Sequence, residues 1–239
     1  MIKREHYVLK IRDFYYDDMI KIITGIKRCG KSVILEQIMD EIKKKSSNII
    51  YLNFEDKKII SNIYDSDKLI EYVEKNRKKG KCYVFLDEIQ EVKNWSEACK
   101  TLRLYDNSIF ITGSNSKLLS KEFTKESSGR YVSFRIRPFV YKEILEYCTE
   151  LNKECSVTDY LVWGGFPKRF EYDSESARDI YLNDLNDTIV INDLINRYKI
   201  HKISDNIEND AFKGNIKCAD LNKIFPDIIN ENLKEGIDY

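Results

Sequence analysis

The chain has 239 residues, enough for one large domain or for one domain with a smaller appendage. Its 40 lysines and arginines are balanced by 40 aspartates and glutamates, which excludes a global electrostatic bias toward nucleic acid or a membrane surface. Hydrophobic residues at 42% suffice for a core, while 33% charge and only 9 glycines describe a helix-rich, well-solvated exterior.

The first six residues lack the apolar centre of a signal peptide, and Tyr7-Val8-Leu9-Lys10-Ile11-Arg12 reads as an amphipathic lead-in. Ile20-Lys21-Ile22-Ile23 has the pattern of a short buried strand. It runs into Gly25-Ile26-Lys27-Arg28-Cys29-Gly30-Lys31-Ser32, which fits G-x-x-x-x-G-K-[S/T] at every fixed position. A helix is predicted over 32–42, with Val33, Ile34, Ile38 and Ile42 near one face. Strand, glycine loop and helix in that order turn the pattern into a structural expectation. The loop's backbone N–H groups can curl around a phosphate, and the helix N-terminus adds partial positive charge. Lys31 then reaches the β- and γ-phosphates, and the Ser32 hydroxyl is placed to ligate Mg²⁺. The eight residues from Gly25 to Ser32 are the expected binding site for a nucleoside triphosphate.

Further strands follow, with helices between them. Residues 48–54 form the next expected strand, whose end brings Asn53, Glu55 and Asp56 forward as secondary candidates. A helix over 67–78 leads to a strand over 82–86, and Tyr83-Val84-Phe85-Leu86-Asp87-Glu88 describes a buried strand delivering two carboxylates to the sheet edge. Asp87 suits Mg²⁺, held through water, and Glu88 suits a general base that orients or deprotonates an attacking water. That order of acids favours hydrolysis over phosphoryl transfer to a small molecule. After a helix over 95–104, the strand 108–112 ends in Gly113-Ser114-Asn115, where Ser114, ahead of Asn115, is the candidate sensor of the γ-phosphate; a plain turn accounts for the same residues. Ser127-Ser128-Gly129-Arg130 precedes a last strand over 131–136, and Arg130 is a candidate to stabilise the transferring phosphoryl group, in cis or from a neighbouring subunit.

The alternation predicts an α/β fold: a three-layer P-loop NTPase sandwich on a mostly parallel five-stranded sheet, followed by a small helical region. Beyond Pro138 the pattern turns helical, with helices over 141–151 and 157–162, the turn Trp163-Gly164-Gly165-Phe166-Pro167, and one long helix or two joined over 176–197. The expected organisation is an ATPase domain over 1–137, a helical lid over 138–204 and a truncated or divergent segment over 205–239.

These motifs add up to a resemblance. G-I-K-R-C-G-K-S at 25–32, F-L-D-E-I-Q at 85–90, I-T-G-S-N-S-K-L-L at 111–119, S-G-R-Y at 128–131, Pro138-Phe139 and Y-L-V-W-G-G-F-P at 160–167 together resemble the AAA+-like ATPases of bacteria and archaea. The resemblance covers residues 1–200 or so. It implies a sheet with an additional strand between the loop strand and the acidic strand, then a helical lid and a winged-helix-like segment. It also implies ATP as the nucleotide and Tyr7 to Arg12 wrapping near the adenine; a homo-oligomer is the expectation where Arg130 acts from a neighbouring subunit. Longer members carry a C-terminal domain resembling restriction-endonuclease folds; here the chain stops at Tyr239 and departs from the pattern after about Asp205.

The six cysteines include no C-x-x-C pair and no histidine at metal-ligand spacing, which suits reduced thiols in a cytoplasmic protein. No apolar run is long enough to span a membrane. The expected activity is Mg²⁺-dependent ATP binding and hydrolysis. The alternative is a nucleotide-dependent switch or binding module with little turnover.

Overall fold

A computed structural model describes residues 2–113 and 129–191, and the statements below concern those residues. The expectations for Ser114, Asn115, the end of the 176–197 helix and the 205–239 segment fall outside them.

Five strands, β1 (Ile20–Thr24), β2 (Ile49–Asn53), β3 (Cys82–Asp87), β4 (Asn107–Gly113) and β5 (Tyr131–Arg135), form one sheet in the order β2-β3-β4-β1-β5. Every pairing is parallel. β1, β3 and β4 are buried along their whole lengths, as continuous apolar runs in a doubly covered parallel sheet must be, whereas the edge strands β2 and β5 are only partly covered. The additional strand β4 stands between the loop strand β1 and the acidic strand β3, as the resemblance implies.

Strand alternation sends side chains to two cores. Val84, Leu86, Ile109 and Ile111 pack with Leu69 and Val73 of α4 (Ser66–Asn76) and with Ala98 and Leu102 of α5 (Trp95–Arg103). Tyr83, Phe85 and Phe110 face the other way, toward Ile11 of α1 (Glu5–Arg12) and Ile34, Leu35, Ile38 and Ile42 of α2 (Lys31–Lys43). Phe85 and Phe110 stack at 4.6 Å between centroids and 10° between planes, an aromatic pair held by adjacent strands.

Two local readings differ from expectation. A short α3 (Lys57–Asn62) occupies residues read as connection; Asp56 starts it by accepting the Lys58 N–H at 2.8 Å. α4 ends at Asn76, short of the expected residue 78, because Arg77 is already extended.

After β5 come α6 (Tyr141–Glu150), α7 (Val157–Trp163) and α8 (Glu175–Asn186), the last continuing as a π turn over Asp187–Ile191. Ile144 and Cys148 of α6 form a small core with Ile2, Phe139 and Phe170, and Tyr160 of α7 packs against it. At Gly165 the backbone lies against that of Phe139: the Phe139 N–H donates to the Gly165 carbonyl at 2.8 Å, and a Cβ on Gly165 would stand 2.0 Å from the Phe139 carbonyl oxygen. Among the described residues five cysteines are free thiols, and no helix is long and apolar enough to cross a membrane.

Lys21 is the exception in the β1 core. Its side chain is fully buried, and Nζ reaches the carbonyls of Met19 (2.8 Å) and Asp17 (3.2 Å) and the Asp17 carboxylate (3.3 Å). Burial lowers its pKa from 10.5 to about 8, against the opposing pull of Asp17. The unfolded chain therefore keeps this proton across a window in which the folded chain has lost it, so the charge opposes folding below pH 8 and that penalty fades up to about pH 10.5. Lys21→Met is expected to raise stability at pH 7 by roughly 1–3 kcal/mol, the scale of two pKa units less the lost hydrogen bonds. Its advantage over the parent should shrink between pH 8 and pH 10.5. Denaturant unfolding of both proteins across that range measures it, and a constant difference would show that burial of this charge carries no net cost.

Candidate functional site

The loop that follows β1 is shaped by close packing at Gly25 and by two left-handed residues. A side chain at Gly25 would bring a Cβ within 2.4 Å of the Ile136 carbonyl oxygen and 2.7 Å of the Cys29 sulfur, so only glycine fits. Arg28 (φ 68°) and Gly30 (φ 97°) both adopt the left-handed region on either side of Cys29. Alternating signs of φ of this kind curl successive N–H groups inward and build an anion-binding concavity. Gly30 is also the N-cap of α2, where no side chain accepts from the first-turn N–H groups and no acidic residue sits in the first turn. A 13-residue helix thus opens with its donors unclaimed by a side chain and its dipole uncompensated. The donor set fits a polyphosphate.

Lys31 is 5% exposed, with Nζ 3.3 Å from the Gly25 carbonyl, 3.4 Å from the Ile26 carbonyl and 3.5 Å from Glu88 Oε1. Its ammonium is therefore folded back over the loop, between the loop and the end of β3. The hydroxyl of Ser32, in the first turn of α2, belongs to the same helix end.

Asp87 closes β3 and is 1% exposed. Both its carboxylate oxygens accept hydrogen bonds, Oδ1 from the Thr112 hydroxyl and Oδ2 from the Tyr51 hydroxyl at 3.3 Å. Burial, and then the neighbouring Asp87 charge, push the Tyr51 phenol up to about 12. Glu88 follows in the left-handed region (φ 53°), where its N–H donates to Thr112 Oγ1 at 3.0 Å and its carboxylate accepts from the Gln90 amide. That backbone conformation is uncommon for a residue with a Cβ and turns the Glu88 side chain off the strand toward Lys31.

The structure thus brings the loop, Lys31, Asp87 and Glu88 to one edge of the sheet. Thr112, at the end of β4, is a member that sequence reading missed in favour of Ser114. The signal lay in the register, since Leu86 pairs with Ile111 and the next residues on each strand are Asp87 and Thr112. Tyr51 was missed for a similar reason, because β2 pairs Tyr51 with Phe85, two residues from the acid it touches. Asn53 lies beside Asp87 in the register but spends its Oδ1 on the Glu55 N–H, at 2.9 Å. Glu55 and Asp56 are exposed, Asp56 as the cap of α3. Arg130 is not brought to the loop. Its carbonyl accepts from the Ile20 N–H at 3.0 Å, at the start of β1, so the length of the strand, about 13 Å at the usual rise, separates it from Thr24 and the loop beyond. There it lines a cavity of about 300 Å³ with Ile20, Lys100, Thr101, Arg103 and Leu104. From the helical region, Tyr181 of α8 lies under the Arg28 guanidinium, 5.8 Å from its ring centroid.

Comparison with known proteins identifies the family. Residues 17–145, more than half of the chain, match the model of a family described as an AAA domain. An uncharacterized protein of Haemophilus influenzae is 36% identical over 208 residues, covering 82% of this chain and 51% of that one. An uncharacterized protein of Methanocaldococcus jannaschii is 33% identical over 225 residues, covering 86% and 50%. The chain therefore spans about half the length of these relatives. Among solved structures, AMPPCP-bound DnaA from Aquifex aeolicus is similar at a TM-score of 0.46 and 17% identity, covering 77% of this chain and 63% of that one. Hsp104 of S. cerevisiae, in complex with casein, gives 0.46 at 15% identity, with 80% and 38% covered. By the family match, with a complete phosphate loop set into a five-stranded parallel sheet, the chain belongs to the AAA-domain family of P-loop proteins in the AAA+ superfamily.

Proposed function

We propose that the chain is a Mg²⁺-dependent ATPase. The observation that carries this reading is the approach of Lys31 Nζ to Glu88 Oε1 at 3.5 Å, which joins the cation of the loop to the acid after β3. In this reading Gly25 to Ser32 wrap the phosphates, Lys31 moves from Glu88 to the β- and γ-phosphates, and Ser32 with Asp87 holds Mg²⁺. Bound Mg²⁺ supplies charge neutralisation on the phosphate oxygens. Glu88, released from Lys31, orients or deprotonates the attacking water. Thr112 fixes both acids by donating to Asp87 and accepting from the Glu88 N–H. ATP is preferred to GTP on the family assignment. Residues 1–137 act as the ATPase domain and the helices from 138 as its lid. A cytoplasmic location suits the free thiols.

Arg130 acts from a second copy of the chain, which makes a homo-oligomer the working form. Its place at the far edge of the sheet supports action in trans, since its own loop is a strand's length away. A second reading, a nucleotide-dependent switch with little turnover, is favoured by the same Lys31–Glu88 pair, which occupies both groups until a ligand separates them.

Three outcomes test these readings. Lys31→Ala is expected to abolish tight ATP binding in an equilibrium titration, and affinity within threefold of the parent would remove the loop from the site. Glu88→Gln should keep Mg·ATP affinity and lose about 10²-fold or more in turnover, the usual scale for a general base. A parent that binds ATP but turns over no faster than this variant is a switch. Arg130→Ala should lower turnover with little change in affinity, because a cation beside the γ-phosphate acts mainly in the transition state. Mixing it with Lys31→Ala protein should restore some activity, one copy supplying the arginine and the other the loop. Unchanged turnover in Arg130→Ala alone would remove that residue from the chemistry.

A further inference from the structure

Arg4 is among the largest fully buried side chains of the protein, at 1% exposure. A buried guanidinium is costly unless its charge and its N–H groups are matched, and here they are matched from three directions. Nε and Nη2 clasp the Glu143 carboxylate of α6 at 2.7 and 3.0 Å. Nη2 also donates to the Arg137 carbonyl at 2.9 Å, where the chain leaves β5. Nη1 donates to the carbonyl of Cys29, inside the phosphate loop, at 3.1 Å. The rings of Tyr7 and Phe139 flank the plane at 4.7 and 5.2 Å, and Arg4's own N–H is held by Gln37 of α2 at 3.0 Å.

The bond to Cys29 bears on the chemistry of the site. In a trans peptide unit the carbonyl and the following N–H point in opposite directions. Drawing the Cys29 carbonyl toward Arg4 therefore turns the Gly30 N–H away from the protein interior, to the side where an anion would sit. The unit ends at Gly30 (φ 97°), which has no Cβ to restrict its φ, so the peptide can rotate unless it is held. The guanidinium holds it, and Glu143 holds the guanidinium while accepting the Val140 N–H at 2.9 Å at the start of α6.

The geometry points to Arg4 as a positioning residue that aims the Gly30 N–H at the nucleotide's phosphates, with Glu143 making that aim depend on where α6 sits. This inference rests on the loop holding a nucleotide, as proposed above. A lysine at position 4 keeps the charge but cannot bond Glu143, Arg137 and Cys29 at once from a planar fork.

The test is titration of ATP into the full chain as parent, Arg4→Lys, Glu143→Gln and Lys31→Ala, reading dissociation constant and number of sites separately. Arg4→Lys is expected to weaken ATP about tenfold with the number of sites unchanged, the scale of one charge-assisted hydrogen bond. Glu143→Gln should move the constant in the same direction by a smaller factor, and it decides the matter if Arg4→Lys does not fold. A merely structural role would lower the number of sites and leave the constant alone, and that result overturns the proposal. So does unchanged ATP affinity in both variants while Lys31→Ala loses binding. A parent that binds no ATP overturns instead the nucleotide reading on which this one stands.

Discussion

The shared direction of the five strands is the constraint on which the rest of the site depends. In a parallel sheet every strand delivers its carboxyl end to the same edge, so the loop after β1, the acids after β3 and the hydroxyl at the end of β4 arrive together. Because β4 lies between β1 and β3, the loop and the acids are one strand apart, and Thr112 stands in the gap. It bonds both acids and gives Glu88 the backbone support that its left-handed conformation requires. The same rule sends Arg130, at the start of β5, to the opposite edge, beside the start of β1.

Charge buried in this fold divides by how well it is matched. Arg4 has carbonyl and carboxylate partners around its whole guanidinium. Asp87 has two hydroxyl donors. Lys21, by contrast, has two carbonyls, a partly exposed carboxylate and the Phe110 ring, and burial wins over those partners, which is why its ammonium is easier to deprotonate. Lys31 is intermediate: its two loop carbonyls at 3.3 and 3.4 Å and Glu88 at 3.5 Å are all long contacts.

The parts of the site that are contiguous in the chain were legible in the sequence. The loop declares itself because a strand, two glycines, a lysine and a helix are neighbours, and Asp87-Glu88 because an apolar strand runs straight into them. The sheet order was legible through the family resemblance. Thr112 and Tyr51 were not, since each meets Asp87 only through strand register, 25 and 36 residues away. Arg4 was less visible still: its partners lie 25, 133 and 139 residues along the chain, and nothing in the local pattern of the N-terminus marks it. The short α3 escaped because six residues are too few to show a helical period.

The backbone contact at Gly165 has a mechanical consequence for the helices beyond the sheet. With no side chain between Gly165 and Phe139, the strand exit and the turn after α7 are joined like the two halves of a buckle, one backbone pressed on the other. Phe139 also lies against the Arg4 guanidinium and within the small core shared with Ile144 and Phe170. The two ends of the α6–α7 pair are therefore tied at one point, and that point lies against the guanidinium that bonds the Cys29 carbonyl of the phosphate loop.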